Sequence, residues 1–330
     1  MVRKRSWVQF PLEAPIGVIM KASFSEFYAR LYNENFNELE AMREKAKRSS
    51  VGLIFIIAAL FILATINVLF VFVGFMAIVI YFMISHKKSK KIQGNISNQN
   101  KEKSYKEVFK EKIVGPLIEN VFEQAKYDPK SGIDRFSYVK AGYHDHIDRY
   151  HSEDLILAPL RVNGEIATSI SFAEVLTERE SKDSEGRTTY STEFHGLAGS
   201  FLLPKNLEKK IYIRDNWSVS NWNKNKVKMD MSEFEKIFDV ESDDKILTMR
   251  ILTADVMADM IDLYRKYKYR FEISILDDTV HMRLRTGEVF EPNVFKSSME
   301  YKTLERYYLV LQSLINIAEK IYDTIAKIEI

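Results

Sequence analysis

Thirty-five consecutive residues, Val51 to Ser85, carry no charged side chain. At about 1.5 Å per residue, one helix of that length reaches about 50 Å, well past a hydrocarbon core of about 30 Å. Two short spans joined by a turn take up the whole length, at roughly 17 residues each. Asn67, preceded by Thr65, is the one strongly polar side chain of the run and lies near its midpoint. In a single span that amide would be unpaired at the bilayer centre, which is costly. Arg43, Lys45, Lys47 and Arg48 stand before the run, and Lys87, Lys88, Lys90 and Lys91 after it. Basic residues collect on the cytoplasmic side. A hairpin keeps both clusters inside, whereas a single tilted span exports one. The run therefore predicts a two-span transmembrane helical hairpin, turned near Asn67, with both termini cytoplasmic. A buried core helix of a soluble protein does not need this length.

Charge is unevenly placed around the run. Residues 1–50 carry nine basic and six acidic side chains, residues 86–112 nine and three, and residues 113–330 thirty and thirty-seven. The membrane-proximal arms are basic, which suits contact with anionic lipid headgroups. The large remainder is acidic, which argues against nucleic acid as its partner, since neutralising phosphates needs clustered Lys and Arg. The chain has no cysteine, so disulfides, thiolate chemistry and Cys-based zinc sites are excluded. The N-terminus is broken by Pro11, Glu13 and Pro15 and has no cleavable-signal pattern.

The expected organisation has five parts. Residues 1–50 form an N-terminal cytoplasmic segment with an amphipathic helix over 22–48, capped by Ser23 or Ser25. Residues 51–85 are the membrane hairpin. Residues 86–126 are a basic linker and a juxtamembrane helix striped by Tyr105, Phe109, Ile113, Leu117, Val121 and Ala125, which Gly115-Pro116 should kink or divide. Residues 127–298 form an α+β cytoplasmic domain. Residues 299–330 are a C-terminal amphipathic helix, with Leu304, Tyr308, Leu311, Ile315, Ala318, Tyr322 and Ile325 at heptad spacing. That stripe serves intramolecular packing or, as the sharper reading, a coiled-coil homo-oligomer.

Within the α+β domain, 154–162 and 165–176 alternate as strands around Asn163-Gly164, a hairpin turn signal. Residues 177–191 read as a long, mobile polar loop. Strands follow near 192–203 and 209–214, then an irregular stretch over 216–226. Ser232 and Glu235 suggest a capping box. Thr253 should cap a longer helix with Val256, Met257, Met260, Ile261 and Tyr264 on its buried face. Residues 271–277 and 279–285 form a second hairpin at Asp277-Asp278. The fold class is α+β, with antiparallel hairpins first and last and helices packed between and around them.

The sequences YKEVFKEKIV (105–114), RYHSEDLI (149–156), FHGLAGSF (194–201), FEKIFDVESDD (234–244), MRILTADVM (249–257) and FEP (290–292) occur in that order. In this the chain resembles a bacterial membrane-protein family known as domain of unknown function 3137, over most of its length after Lys101. The resemblance implies an inner-membrane protein with a large cytoplasmic domain and no established activity. It also implies a shared complex with LemA-type membrane proteins. The chain departs from the family in the histidines around Tyr143–His151 and in Pro116, and no functional residue is carried over.

The candidate chemistry lies in YHDHIDRYHSED, 143–154. His144, His146 and His151 fall within eight residues, among Asp145, Asp148, Glu153 and Asp154. In an extended segment His144 and His146 share a face, as two metal ligands would. The candidate metal set is His144, His146, His151 and Asp154, for a divalent ion such as zinc or nickel; the bland reading is a solvated connector. No nucleophile elbow, P-loop or dinucleotide fingerprint occurs, so no catalytic residue is assigned and no other cofactor is expected. FEP reads as a strand end stopped by Pro292, with Glu291 as an acid/base only if a pocket supplies a partner. Three readings follow: a membrane-anchored interaction or scaffold protein, a membrane-tethered metal-dependent enzyme, and a small-molecule sensor.

Overall fold

The computed structural model describes residues 23–66, 103–143, 145–216 and 225–329. Among these residues no helix is long and apolar enough to cross a membrane. The expected turn at Asn67, the second half of the apolar run and both tryptophans of 216–226 lie outside them. The chain forms two units. One holds residues 23–28, 114–290 and 301–329, and the other holds residues 29–66, 103–113 and 291–300.

The larger unit is built on an eight-stranded sheet. Its strands are β1 (Lys126–Asp128), β2 (Arg149–Val162), β3 (Glu165–Lys182), β4 (Thr188–Leu202), β5 (Lys210–Asp215), β6 (Phe238–Ser242), β7 (Arg270–Leu276) and β8 (Thr279–Arg285). The order is β1-β2-β3-β4-β8-β7-β5-β6, and every neighbouring pair is antiparallel. The hairpin signals at Asn163-Gly164 and Asp277-Asp278 form as expected, with Val162 opposite Glu165 and Leu276 opposite Thr279. What the expected layout lacked is the β4–β8 pairing, Leu197 opposite Leu284 through Leu202 opposite Thr279, which fuses the two hairpins into one sheet.

Period-two alternation gives the sheet two unlike faces. One carries cross-strand rows such as Phe172, Gly199, Met282, Ile273 and Ile213. A methyl at Gly199 would meet the Ser171 carbonyl and the Phe172 ring, so the missing Cβ leaves room for that ring. This face is covered by α3 (Gly115–Val121), α6 (Lys245–Ile251), α7 (Ala254–Tyr267) and α8 (Tyr301–Lys327); α8 packs on α3, α6, α7 and β2. The α8 stripe is wider than heptad spacing suggested, with Tyr307, Val310, Leu314, Ile317 and Ile321 buried as well. A helix apolar over so broad a face belongs in a core rather than on a narrow coiled-coil seam. Thr253 caps α7 through the Val256 N–H, and Tyr264 is only half-buried, with Leu263 taking its expected place.

Two expectations for this unit need correction. Residues 177–191 are not a long loop: β3 runs to Lys182, β4 starts at Thr188, and only 183–187 turn. Asp183 Oδ1 accepts the Glu185 and Arg187 N–H groups and closes the turn, while Thr, Ser and Tyr favour strand on either side. The short helix α5 (Ser232–Glu235) begins one residue earlier than a Ser232 cap requires. Its N-cap is Met231 without a side-chain bond, and the Glu235 carboxylate instead accepts the Met229 N–H at 2.9 Å.

In the other unit, α1 (Phe24–Ile66) continues without a break from its charged half into the apolar run. At the start of α1, in the larger unit, Ser23 and Glu26 exchange capping bonds. Ser104 and Glu107 form a full capping box on α2 (Tyr105–Phe109). The expected break at Gly115-Pro116 appears as a π-helical turn, Lys110–Val114, immediately before it. Proline donates no N–H to the carbonyl four residues back, so the preceding turn widens. Lys112 pairs with Glu38 on α1. Arg43 is buried on α1, donating to Glu40 and, at 2.8 Å, to the Val294 carbonyl.

Candidate functional site

The second face of the sheet mixes polar and apolar side chains, and among the described residues a short segment after Ile133 packs on it. Asp134 caps α4 (Arg135–Lys140) by accepting the Ser137 N–H, and the chain then turns at Gly142. Gly142 has a φ of +70°, and a Cβ there would stand 3.1 Å from the Tyr212 ring, so both backbone and space call for glycine. The turn lays Ala141 and Gly142 on the sheet. Ser274 Oγ donates to the Ala141 carbonyl at 2.6 Å, and Arg214 donates to the Gly142 carbonyl at 3.1 Å. Tyr138, Ala141 and Tyr143 pack on Val175, Phe194 and Ala198.

Arg283 lies at the centre and is 5% exposed. One amino nitrogen of its guanidinium, Nη2, donates to both Glu272 oxygens on β7, at 2.9 Å each. Its other amino group donates to the Tyr138 hydroxyl at 2.9 Å and to Asp145 Oδ2 at 2.5 Å. Tyr138 in turn donates to Asp145 at 2.8 Å. The guanidinium stacks on the Tyr143 ring, 4.0 Å from its centre, and faces Phe194 at 4.9 Å. Burial works against the charge of Arg283, but Glu272, Tyr138 and Asp145 outweigh it and hold the group more firmly protonated than usual. Burial pushes the Tyr138 and Tyr143 hydroxyls well up. It draws Arg214 down, opposed by Glu272 and reinforced by repulsion from Arg283. The arrangement is a charge-assisted clamp that fixes 134–145 on the sheet.

The helix-covered face has its own polar inclusion. Glu174 and Leu197 are opposite each other, in a row that continues through Leu284 to Phe271. Glu174 Oε1 lies 2.9 Å from His195 Nε2, and Oε2 accepts the Val289 N–H at 2.8 Å. Burial pushes this carboxyl up, against the pull of the Val289 N–H and His195. In the smaller unit Glu291 is no strand end, since β8 stops at Arg285. It pairs with Lys106 at 2.7 Å and with the buried Lys110 of the π-helical turn at 2.6 Å.

The candidate metal residues are spread out. His144 lies outside the described residues. His146 is exposed in the connector and His151 is exposed on β2. Asp154 is fully buried at a bulge with a φ of +61°, where the Tyr127 hydroxyl donates to it. Among the described residues neither His146 nor His151 joins a group of three ligand-type side chains. Asp145, which lies among the histidines in sequence, pairs with Arg283 and Tyr138. The signal was present in the hairpin at Asp277-Asp278, whose two-residue turn sets Glu272 opposite Arg283.

With this geometry in place, the comparisons can be read. Residues 192–322 match the model of a family described as a protein of unknown function, DUF3137. The chain is similar to that family over this segment. The segment takes in most of β4, all of β5 to β8 and α8 as far as Tyr322, and with them Glu272 and Arg283 of the clamp but not Asp145. No curated protein matches the chain. Among solved structures the chain is similar to the mycobacterial trehalose monomycolate transport factor A, TtfA. The match is 8% identical over 63% of this chain and 95% of that one, with a TM-score of 0.33. A likeness at that level supports no functional inference.

Proposed function

We propose that the chain is a membrane-anchored interaction protein whose DUF3137-like domain works at the cytoplasmic face of a bacterial inner membrane. The observation that carries this reading is the uncharged run of 35 residues with basic clusters on both flanks. Its support is α1, which carries the first half of the run as unbroken helix, the form a lipid-exposed backbone requires. In this reading residues 51–85 cross and return with a turn near Asn67, and the basic arms lie on anionic headgroups. The partner is a membrane protein of the same leaflet, a LemA-type protein among those to test.

The test is tag accessibility in intact cells, followed by gentle detergent purification. Tags at residues 1 and 330 should both be shielded from an external protease and both be cut once the membrane is opened. One tag cut from outside defeats the hairpin. A membrane protein should co-purify in fixed ratio, and its absence at every detergent condition defeats the interaction role.

A further inference from the structure

Among the described residues, β3 and β4 continue beyond the body of the sheet as a two-stranded ribbon. Pairing of β2 with β3 stops at Arg149 opposite Glu178, and pairing of β8 with β4 stops at Leu284 opposite Leu197. The two ribbon edges differ. The β3 edge carries Arg179, Glu180 and Lys182, and Asp148 takes the Glu180 N–H at 2.6 Å. Such charges and covers are how sheet edges avoid pairing. The β4 edge reads Thr188-Thr189-Tyr190-Ser191-Thr192, all exposed and without charge, with four of the five strand-favouring.

The register shows what this edge offers. The Asp183 N–H donates to the Arg187 carbonyl at 3.1 Å, so 183 and 187 form a bonded pair. Bonded and non-bonded pairs alternate along an antiparallel ladder. Thr188 opposite Lys182, Tyr190 opposite Glu180 and Thr192 opposite Glu178 are then the non-bonded pairs. Their backbone N–H and C=O groups point away from β3, to the open side.

We infer that this edge pairs with the same edge of a second copy of the chain, antiparallel, about a two-fold axis at Tyr190. The sequence is complementary to itself in that register. Thr188 faces Thr192 and Thr189 faces Ser191; beyond them Arg187, which pairs in its own turn with Asp183 and Glu185, stands across from Glu193, the extra residue of the β4 bulge, so an opposite charge lies at each flank of the contact. No other register within two residues places Arg187 against Glu193. The outward backbone groups of 188, 190 and 192 meet their counterparts as bonded pairs, and the sheet continues through both molecules. The contact is short, so the dimer forms with rising concentration. The inference stands whether or not residues 51–85 span a bilayer.

The test uses the full chain in mild detergent, which has no cysteine of its own. Tyr190→Cys should cross-link to a dimer under mild oxidation, because directly opposed bonded residues stand about 5.5 Å apart at Cα, within disulfide reach. Thr188→Cys and Thr192→Cys should each stay monomeric alone and cross-link when mixed. Ser181→Cys, on the other ribbon strand, should not cross-link. Without any cysteine, Glu193→Arg should weaken self-association about tenfold by reversing two symmetry-related surface pairs, and adding Arg187→Glu should restore it. The inference is overturned if Tyr190→Cys links no faster than Ser181→Cys. It is equally overturned if the mixed pair fails, or if the dimer ignores both charge changes.

Discussion

Arg283 shows how much one side chain can organise. Replacing it by Met leaves Asp145 buried without its cation and Glu272 with only Arg214, 3.9 Å away, and unfolding in urea should shift by about 3–5 kcal/mol. Lys at the same position keeps a charge but cannot reach Glu272 on one side and Tyr138 and Asp145 on the other with two amino groups, and loses the stacking on Tyr143, so it should fall between the two. A Met variant as stable as the parent would show that the clamp is dispensable. His281, half-buried on the same face, gives a pH signature. Burial lowers it from 6.5 to about 4, with Asp278 opposing and Lys140 reinforcing the shift. Between those values the unfolded chain binds the proton and the folded chain does not, so stability is intact above about 6.5 and declines as pH falls toward 4. After discounting for residual exposure, the loss amounts to about 1–2 kcal/mol. Unfolding midpoints of His281→Gln should therefore be flatter across that window; an unchanged slope would assign the effect elsewhere.

Among the elements, β-turns and helix caps were the most legible. Thr253 is the cap the sequence suggested for α7, and Thr253→Ala should lower stability by about 1 kcal/mol, measured by urea unfolding. At Gly199 the Phe172 ring occupies the space a Cβ would need. Gly199→Ala should cost about 1–3 kcal/mol and slow no other property of the sheet, whereas a neutral result would mean that β3 and β4 part easily. The polar stretch 177–191 was misread because its charges match a solvated loop as well as a ribbon exposed on both faces. Alternation identifies a strand only when one face is buried. The Ser232–Glu235 spacing misled for a different reason. A capping box needs the glutamate to turn back on its own helix, and here the Met229 N–H had already claimed it.

For the whole molecule, the mixed α+β class with antiparallel hairpins and packing helices stands, while the hairpin in the membrane belongs to the proposal. The apolar sheet face is covered chiefly by helices, and α8 supplies a large part of that cover. A chain stopped before Tyr301 should lose cooperative unfolding and bind a dye for exposed apolar surface. Retention of a sharp transition would show that α3, α6 and α7 suffice. The sequence alone determined the local facts: an uncharged run of 35 residues, two tight hairpins, capped helices and an apolar stripe on the last of them. These follow from spacing, charge and turn chemistry within a few residues. Tertiary structure alone decided that β4 pairs with β8, and that Asp145 meets Arg283. Those partners are far apart in the chain, and the free energy that joins them comes from burial shared by many side chains, which no short window of sequence contains.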